Sequence, residues 1–291
     1  MARDNRDTAL RFALLDADGD GVVTWHDFEH RLLTLAQADP GIGSAGLFRV
    51  RTGFRALWRS MQAAMDTDDD NQITFAEYEA YEHSSAGQTG VQPGGGAEPA
   101  TAADAHGAPA VPAHPRRPAE LVEVPLPSGG AAAADFSGYQ PCGTGTVQSF
   151  LQTFWNPSGG WRYPEADGFA RTADGAPVAF PSVLLHRETV DRYGREHGTY
   201  LAPVGTPVAA RAIPPETLRH AEGERPWNYH RYEVLRDFSV LAGPTAPAFA
   251  QSGYGIQYKL KQELLNDAPE RLTVAWLVAA GYLRLVDASG G

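Results

Sequence analysis

The spacing of apolar residues changes twice along the chain. Near the front, "RFALL" and "WHDFEHRLLTLA" repeat apolar positions at three- and four-residue intervals, the period of helices with one buried face. Residues 83–135 are dominated by Gly, Ala and Pro, a composition that buries little apolar area and disfavours both helix and sheet. They read as a flexible linker. "LVEVPLPS" within it could dock as a short extended segment, though its prolines argue against a central strand. From Asp135 onward short aromatic and aliphatic runs alternate with Gly and Pro, which predicts short strands joined by turns. "TVQSFLQTFW" and "ERLTVAWLVAA" return to helical spacing. The expected fold class is α+β: an all-α pair of helical hairpins over 1–82, a disordered linker over 83–135, and a compact α+β domain with an antiparallel sheet over 136–291.

The polar positions between the front helices carry chemistry. "DADGDGVVTWHD" sets Asp16, Asp18 and Asp20 at positions 1, 3 and 5 of a twelve-residue loop. Gly21 stands at the sharp turn, the Val22 carbonyl at 7, Thr24 at 9 and Asp27 at 12. "DTDDDNQITFAE" repeats the order with Asp66, Asp68, Asp70, Gln72, Thr74 and Glu77. Alternating oxygen donors on a tight loop suit a hard divalent cation, and two such loops in tandem make an EF-hand pair the expectation. Asn71 replaces the glycine at position 6, a substitution Asn accommodates because it tolerates left-handed backbone angles. Val23 is expected opposite Ile73. Asp27 is one methylene shorter than the usual glutamate, so the first site is expected to bind Ca2+ more weakly or to favour octahedral Mg2+, whereas Glu77 can bind bidentately. The segment resembles bacterial calerythrin-like EF-hand proteins, with two loops where that family has more.

Charge and cysteine narrow the classes of function. The formal net charge is −11, and residues 1–82 hold 15 acidic against 8 basic side chains. This balance argues against nucleic-acid and anionic-membrane partners. A single cysteine, Cys142, rules out an internal disulfide. No secretory signal or transmembrane run is evident, so the expected localisation is cytoplasmic, or secreted by a dedicated route.

In the back half, "YPEADGFA", "DRYG" followed by "GTYLAPVGTP", "ARAIPP", "NYHRYEV", "GPTAPAFAQSGYGIQY" and "AGYLRLV" occur in the order and approximate spacing of the TNT domain, named for the tuberculosis necrotizing toxin. Over roughly 140–287 the chain resembles that family of NAD(P) glycohydrolases. The resemblance implies cleavage of the nicotinamide–ribose bond, with NAD as substrate and not as cofactor, and a cognate immunity protein as partner. It also implies roles for individual residues: Arg192 and Arg211 as substrate clamps, Tyr200 as an aromatic packing on the substrate, Gln257 as the active-site glutamine, and His230 as a further catalytic candidate. Tyr254 and Ala250 stand where the family tends to glycine, and are expected to narrow or reshape the pocket.

The remaining chemistry is sparse. Glu165 and Asp167 lie near the expected pocket rim, but nothing in the sequence marks either as catalytic. His186, His197 and His220 show no metal-ligand spacing, and no glycine fingerprint of a dinucleotide redox fold is present. Two alternatives remain open at this point: an ADP-ribosyltransferase, and a calcium-responsive binding protein whose back domain is inactive.

Overall fold

The computed structural model describes residues 2–87, 118–124, 126, 135–158, 160–219, 228–265 and 268–286. Most of the expected linker, and His220, lie outside these residues.

The front is two helix–loop–helix units. Helices α1 (Ala2–Leu15) and α2 (Trp25–Ala38) flank the first acidic loop; α3 (Gly43–Met65) and α4 (Phe75–Gly87) flank the second. The loops are joined by a two-stranded ladder, β1 (Val22–Val23) with β2 (Ile73–Thr74), in which Val23 pairs with Ile73 as expected. Asn71 adopts φ 65, the left-handed angle its position requires. Thr24 caps α2 in a capping box closed by Asp27.

The back is a seven-stranded sheet with every pairing antiparallel. Its strands are β5 (Phe180–Leu184), β6 (Thr189–Tyr193), β7 (Tyr200–Pro203), β8 (Tyr229–Val234), β9 (Phe238–Pro244), β10 (Ile256–Lys259) and β11 (Leu283–Val286), in the order β11-β8-β6-β7-β10-β9-β5. A small hairpin, β3 (Trp155–Asn156) with β4 (Gly160–Trp161), precedes it. Both helices read from the sequence form: α5 (Val147–Phe154), capped by Thr146, and, after a four-residue α6 (Val208–Arg211), α7 (Val274–Ala279), capped by Thr273.

Two expectations about organisation need correction. The linker is narrower than 83–135, because α4 continues to Gly87 and residues 118–122 form a 3-10 helix that buries Leu121 and Val122. "LVEVPLPS" therefore docks through its first residues, as a helical turn where an extended segment was anticipated. Nor are front and back separate bodies. Phe28 and Phe54 meet Phe180 of β5 edge to face, at 5.2 and 5.6 Å between ring centroids. Ser60 on α3 donates to Glu188 at 2.7 Å, and the Tyr254 hydroxyl donates to Asp39. The apolar interior of the helices and that of the sheet form one continuous core. β5 is an edge strand, where Pro181 removes no needed donor, and α1 and α3 cover it.

Strand β10 is the element that links this packing to chemistry. Ile256 and Tyr258 are buried and alternate with the more accessible Gln257 and Lys259, so the period-two rule puts them on opposite faces. Ile256 fits a notch made by the missing side chain of Gly53 on α3, where a Cβ would lie 2.1 Å from Ile256 Cγ1. The helices thus brace one face of β10 while Gln257 belongs to the other.

Candidate active site

Gln257 donates through Nε2 to the backbone carbonyl of Asp167 at 3.1 Å. That carbonyl sits in a 3-10 turn (Ala166–Gly168) whose central residue has φ 54 and ψ 22. The turn is fastened to the sheet: Gly168 O accepts from Ala246 N at 2.8 Å, and Phe169 bridges to Thr245. The Asp167 carboxylate gathers three more groups. Lys261 Nζ donates to Oδ2 at 2.8 Å, Lys259 Nζ stands 3.6 Å from Oδ1, and the Tyr200 hydroxyl donates to Oδ1 at 3.4 Å.

Cross-strand register explains the convergence. Lys259 of β10 pairs with Tyr200 of β7, so the two side chains emerge on one face as neighbours. The Lys259 ammonium lies 4.0 Å from the Tyr200 ring centroid, a cation–π contact, and is also held by Thr199 Oγ1 at 2.8 Å. Burial pulls the Lys259 pKa down, and burial pushes that of the Tyr200 hydroxyl up, so the phenol is neutral at physiological pH. For Asp167 partial burial acts upward, but the Lys261 hydrogen bond and the charges of both lysines outweigh it, and the carboxyl is held below its usual range.

Arg192 reaches the same neighbourhood from β6. Its Nη1 donates to the Tyr200 carbonyl and its Nε to the Arg195 carbonyl, each at 2.8 Å. The guanidinium occupies the space above Gly198, where a Cβ would fall 1.8 Å from Nη2, so the glycine of "EHGTY" leaves room for it. Burial pulls the Arg192 pKa down, opposed by Tyr232, Tyr163 and Glu196. His230, paired with Arg192 across β6 and β8, has Nε2 2.9 Å from Asn228 Oδ1 and Nδ1 4.0 Å from Glu196 Oε1. It neighbours Arg192 across the ladder.

Arg211 stands apart. It is buried in a two-point ion pair with Asp191, Nη1 to Oδ1 at 2.6 Å and Nη2 to Oδ2 at 2.8 Å, and its Nε donates to the Thr206 carbonyl. Asp191 is fully buried and takes a further bond from the Tyr229 hydroxyl at 3.1 Å. With three donors so engaged, Arg211 has the environment of a core ion pair and not that of an open clamp. Tyr254 also departs from expectation: its ring faces the helices, near Gly46 and bonded to Asp39, and does not narrow the Gln257 cluster. Ala250 borders a separate groove of about 590 Å³ lined by Gln140, Cys142, Gly143, Ser149 and Phe154 among others, which contains none of the Gln257 group.

No spacing in the sequence links Asp167 to Gln257, ninety positions away, and their contact is made through a carbonyl that any residue possesses.

The acidic loops have the donor chemistry for hard cations. One carboxylate oxygen from each of Asp16, Asp18 and Asp27 lies within 4.8 Å of the others, and so it is for Asp66, Asp68 and Asp70. Backbone N–H groups of Gly19 and Gly21 bond to Asp16, and that of Asn71 to Asp66, which curls each loop around its first ligand. Asp27 joins the first set despite its length, while its oxygens accept from Ala17 N and Thr24 N. Glu77, expected as the bidentate ligand, is not part of the second set: its oxygens accept from Thr74 and Thr67, whose backbone N–H groups pull its pKa down to about 2. Asp20 Oδ1 and Asp70 Oδ1 accept from Val22 N and Gln72 N, which closes the turn of each loop. The residues present fit a pair of hard divalent cations.

Comparison with known proteins bears on the sheet first. The family model "Tuberculosis necrotizing toxin" (TNT) matches residues 183–286, a span that includes Arg192, Tyr200, Arg211, His230 and Gln257 but not Asp167. A curated relative, the conidial surface nicotinamide adenine dinucleotide glycohydrolase nadA of Aspergillus fumigatus, is 38% identical over 133 residues, covering 46% of this chain and 53% of that protein. The chain therefore spans about half the length of that relative. Among solved structures, tuberculosis necrotizing toxin complexed with its immunity factor is 22% identical, covering 57% of this chain and 81% of that one, with a TM-score of 0.36. A Streptomyces coelicolor calcium-binding protein is 25% identical, covering 28% and 55%, with a TM-score of 0.25. The sheet region of this chain, with Arg192, Tyr200 and Gln257 inside the matched span, resembles the TNT domain.

Proposed function

We propose that the protein is an NAD(P)+ glycohydrolase that releases nicotinamide and ADP-ribose, with a toxin-like role and a calcium-binding module built onto its core. The observation that supports this most is the meeting of Gln257, Tyr200, Lys259 and Lys261, all within the region similar to TNT, at Asp167: Gln257 at its main-chain carbonyl and the other three at its carboxylate, beside Arg192. The leaving group, a pyridinium cation, departs as neutral nicotinamide, so the reaction needs no general acid. It needs a held substrate, a stabilised oxocarbenium-like ribose and a placed water. The cations Arg192, Lys259 and Lys261 suit the pyrophosphate, Arg192 through the N–H groups that the Arg195 and Tyr200 carbonyls do not take and the lysines as point charges. The neutral Tyr200 ring offers a face for nicotinamide or its ribose, and the Gln257 amide an acceptor for a ribose hydroxyl or the attacking water.

Calcium in this reading is a condition on the activity. Asp16, Asp18 and Asp27, and Asp66, Asp68 and Asp70, would hold the ions, which supply charge neutralisation to loops that otherwise repel themselves. Because α3 braces β10, order gained in the loops is carried to the strand bearing Gln257. A producer of such an enzyme needs protection from it, and a cognate immunity protein covering the site is the proposed partner. The test is nicotinamide release from NAD+ by the full chain, with calcium and with chelator. Release that falls with chelator supports both parts; release indifferent to chelator removes the calcium condition; no release in either removes the glycohydrolase.

A further inference from the structure

The hydrogen bond between Gln257 and Asp167 fixes something the amide alone does not. A side-chain amide has two ends of nearly equal size, one donating and one accepting, and which end faces a substrate decides what it can do. A backbone carbonyl only accepts. With the Asp167 carbonyl 3.1 Å away, the amide nitrogen must be the end turned toward it, and Oε1 is directed elsewhere. From this geometry we infer that Asp167 is the positioning residue of the site, its carbonyl orienting the Gln257 amide so that Oε1 is the acceptor presented to a ribose hydroxyl or to water. The inference rests on the glycohydrolase reading and goes beyond it by naming the working atom and what aims it.

Three features make Asp167 suited to this and not an incidental neighbour. Its backbone has φ 54 and ψ 22, a conformation disfavoured for residues with a side chain and better tolerated by Asp and Asn than by most. Phe169 and Gly168 on its C-terminal side are tied to Thr245 and Ala246, the two residues that follow β9, the strand paired with β10, so carbonyl and amide are held from neighbouring stretches of the sheet. The carboxylate is anchored by Lys261 and also takes the Tyr200 hydroxyl, so one residue aims the amide by its main chain and seats the aromatic by its side chain.

The two roles separate by substitution. Asp167→Gly adopts a positive φ freely, keeping the carbonyl while deleting the carboxylate; Asp167→Val resists that φ and displaces the carbonyl. For NAD+ cleavage, Asp167→Gly is expected to keep kcat within about fivefold while raising KM, and Asp167→Val to lose kcat by a hundredfold or more, with melting temperatures measured for both. Gln257→Glu adds a pH signature. An ionised carboxylate has no donor for the Asp167 carbonyl, whereas a protonated one does, so its activity is expected to be low at pH 7.5 and to rise relative to wild type as the pH falls toward 5. Equal kcat for the Gly and Val variants, or a ratio for Gln257→Glu that is flat with pH, would overturn the inference. An activity-independent readout covers an inactive wild type: in nitrogen-15 spectra, one Gln257 side-chain amide proton should be downfield and slow to exchange, and lose both properties in Asp167→Val. Two equivalent, fast-exchanging protons in wild type would overturn the inference, whereas wild-type inactivity alongside a protected proton would fell only the proposed reaction.

Discussion

Replacing Gly53 by alanine tests whether the helices and the sheet are one body, because the two possibilities give opposite signs. In a helix free of the sheet, alanine at a mid-helix position is more favourable than glycine by about 1 kcal/mol. In this structure the new Cβ would lie 2.1 Å from Ile256 Cγ1, 2.8 Å from Cδ1 and 3.5 Å from Cβ. Ile256 has little room to retreat: it is 5% exposed, and its backbone is paired with Pro244 in the β10–β9 ladder. Overpacking of that kind costs roughly 1–3 kcal/mol, and a pinned neighbour argues for the upper part of the range. Set against the propensity gain, the expected net is a loss of about 1–2 kcal/mol. Urea denaturation of the full chain in saturating calcium measures it as a lower midpoint at unchanged slope. Ile256→Ala alone should cost about 2–5 kcal/mol, and adding Gly53→Ala to that background should be neutral or stabilising, since the obstacle is gone. A Gly53→Ala protein more stable than wild type would refute the docked arrangement.

Further expectations follow from the site and the loops. Gln257→Ala should fold with an unchanged melting temperature and lose NAD+ cleavage by about a hundredfold or more; activity near that of wild type removes it from the mechanism. Arg211→Ala should lose about 3–5 kcal/mol of stability, because it leaves Asp191 buried without its partner; normal melting with only a raised KM would restore Arg211 as a substrate clamp. Titration calorimetry should find two unequal calcium sites, the weaker abolished by Asp27→Ala and the tighter by Glu77→Ala, whereas two equal tight sites would contradict the reading of Asp27. Asp167 has a folded pKa below its unfolded one, so its stabilisation is present above the ordinary carboxylate pKa and is lost as pH falls through the lower folded value. Lys261→Met brings the two values closer, Lys259 still lowering the folded one, and should raise the pH at which acid unfolding begins, by an effect under about 1 kcal/mol given the partial exposure of the pair; an unmoved acid transition would dissociate the two groups.

What could be read from the sequence was local, or carried by ordered blocks. The ligand order of the loops, the pairing of Val23 with Ile73 and the left-handed Asn71 all follow from a twelve-residue stretch with its own geometry. The caps at Thr146 and Thr273 sit at the edges of their apolar patterns for the same reason. Alternation along β10 says that Ile256 and Tyr258 are buried, but alternation does not say against what. The partner proved to be α3, some two hundred residues earlier and beyond a stretch whose composition suggested independence. Arg211 looked like a clamp because the Asp191 that pairs with it lies twenty positions earlier, on β6. Asp167 acts through a backbone atom, which leaves no trace in residue identity; the one local hint was a turn at "ADG", where Ala166, Asp167 and Gly168 all take positive φ.

The shared core also says something about how such a chain can be taken apart. A gene reads as two cassettes with a spacer, and a cloning boundary drawn at the spacer would seem natural. Yet Phe180 and Ile256 are wetted as soon as the helices are removed. A trimmed sheet would carry an oily floor and an uncovered edge at β5, the two attributes that make β proteins stick to one another. The helical front is thus a wall of the house and not an annexe, and recombination that moved the sheet alone would have to bring a replacement wall with it.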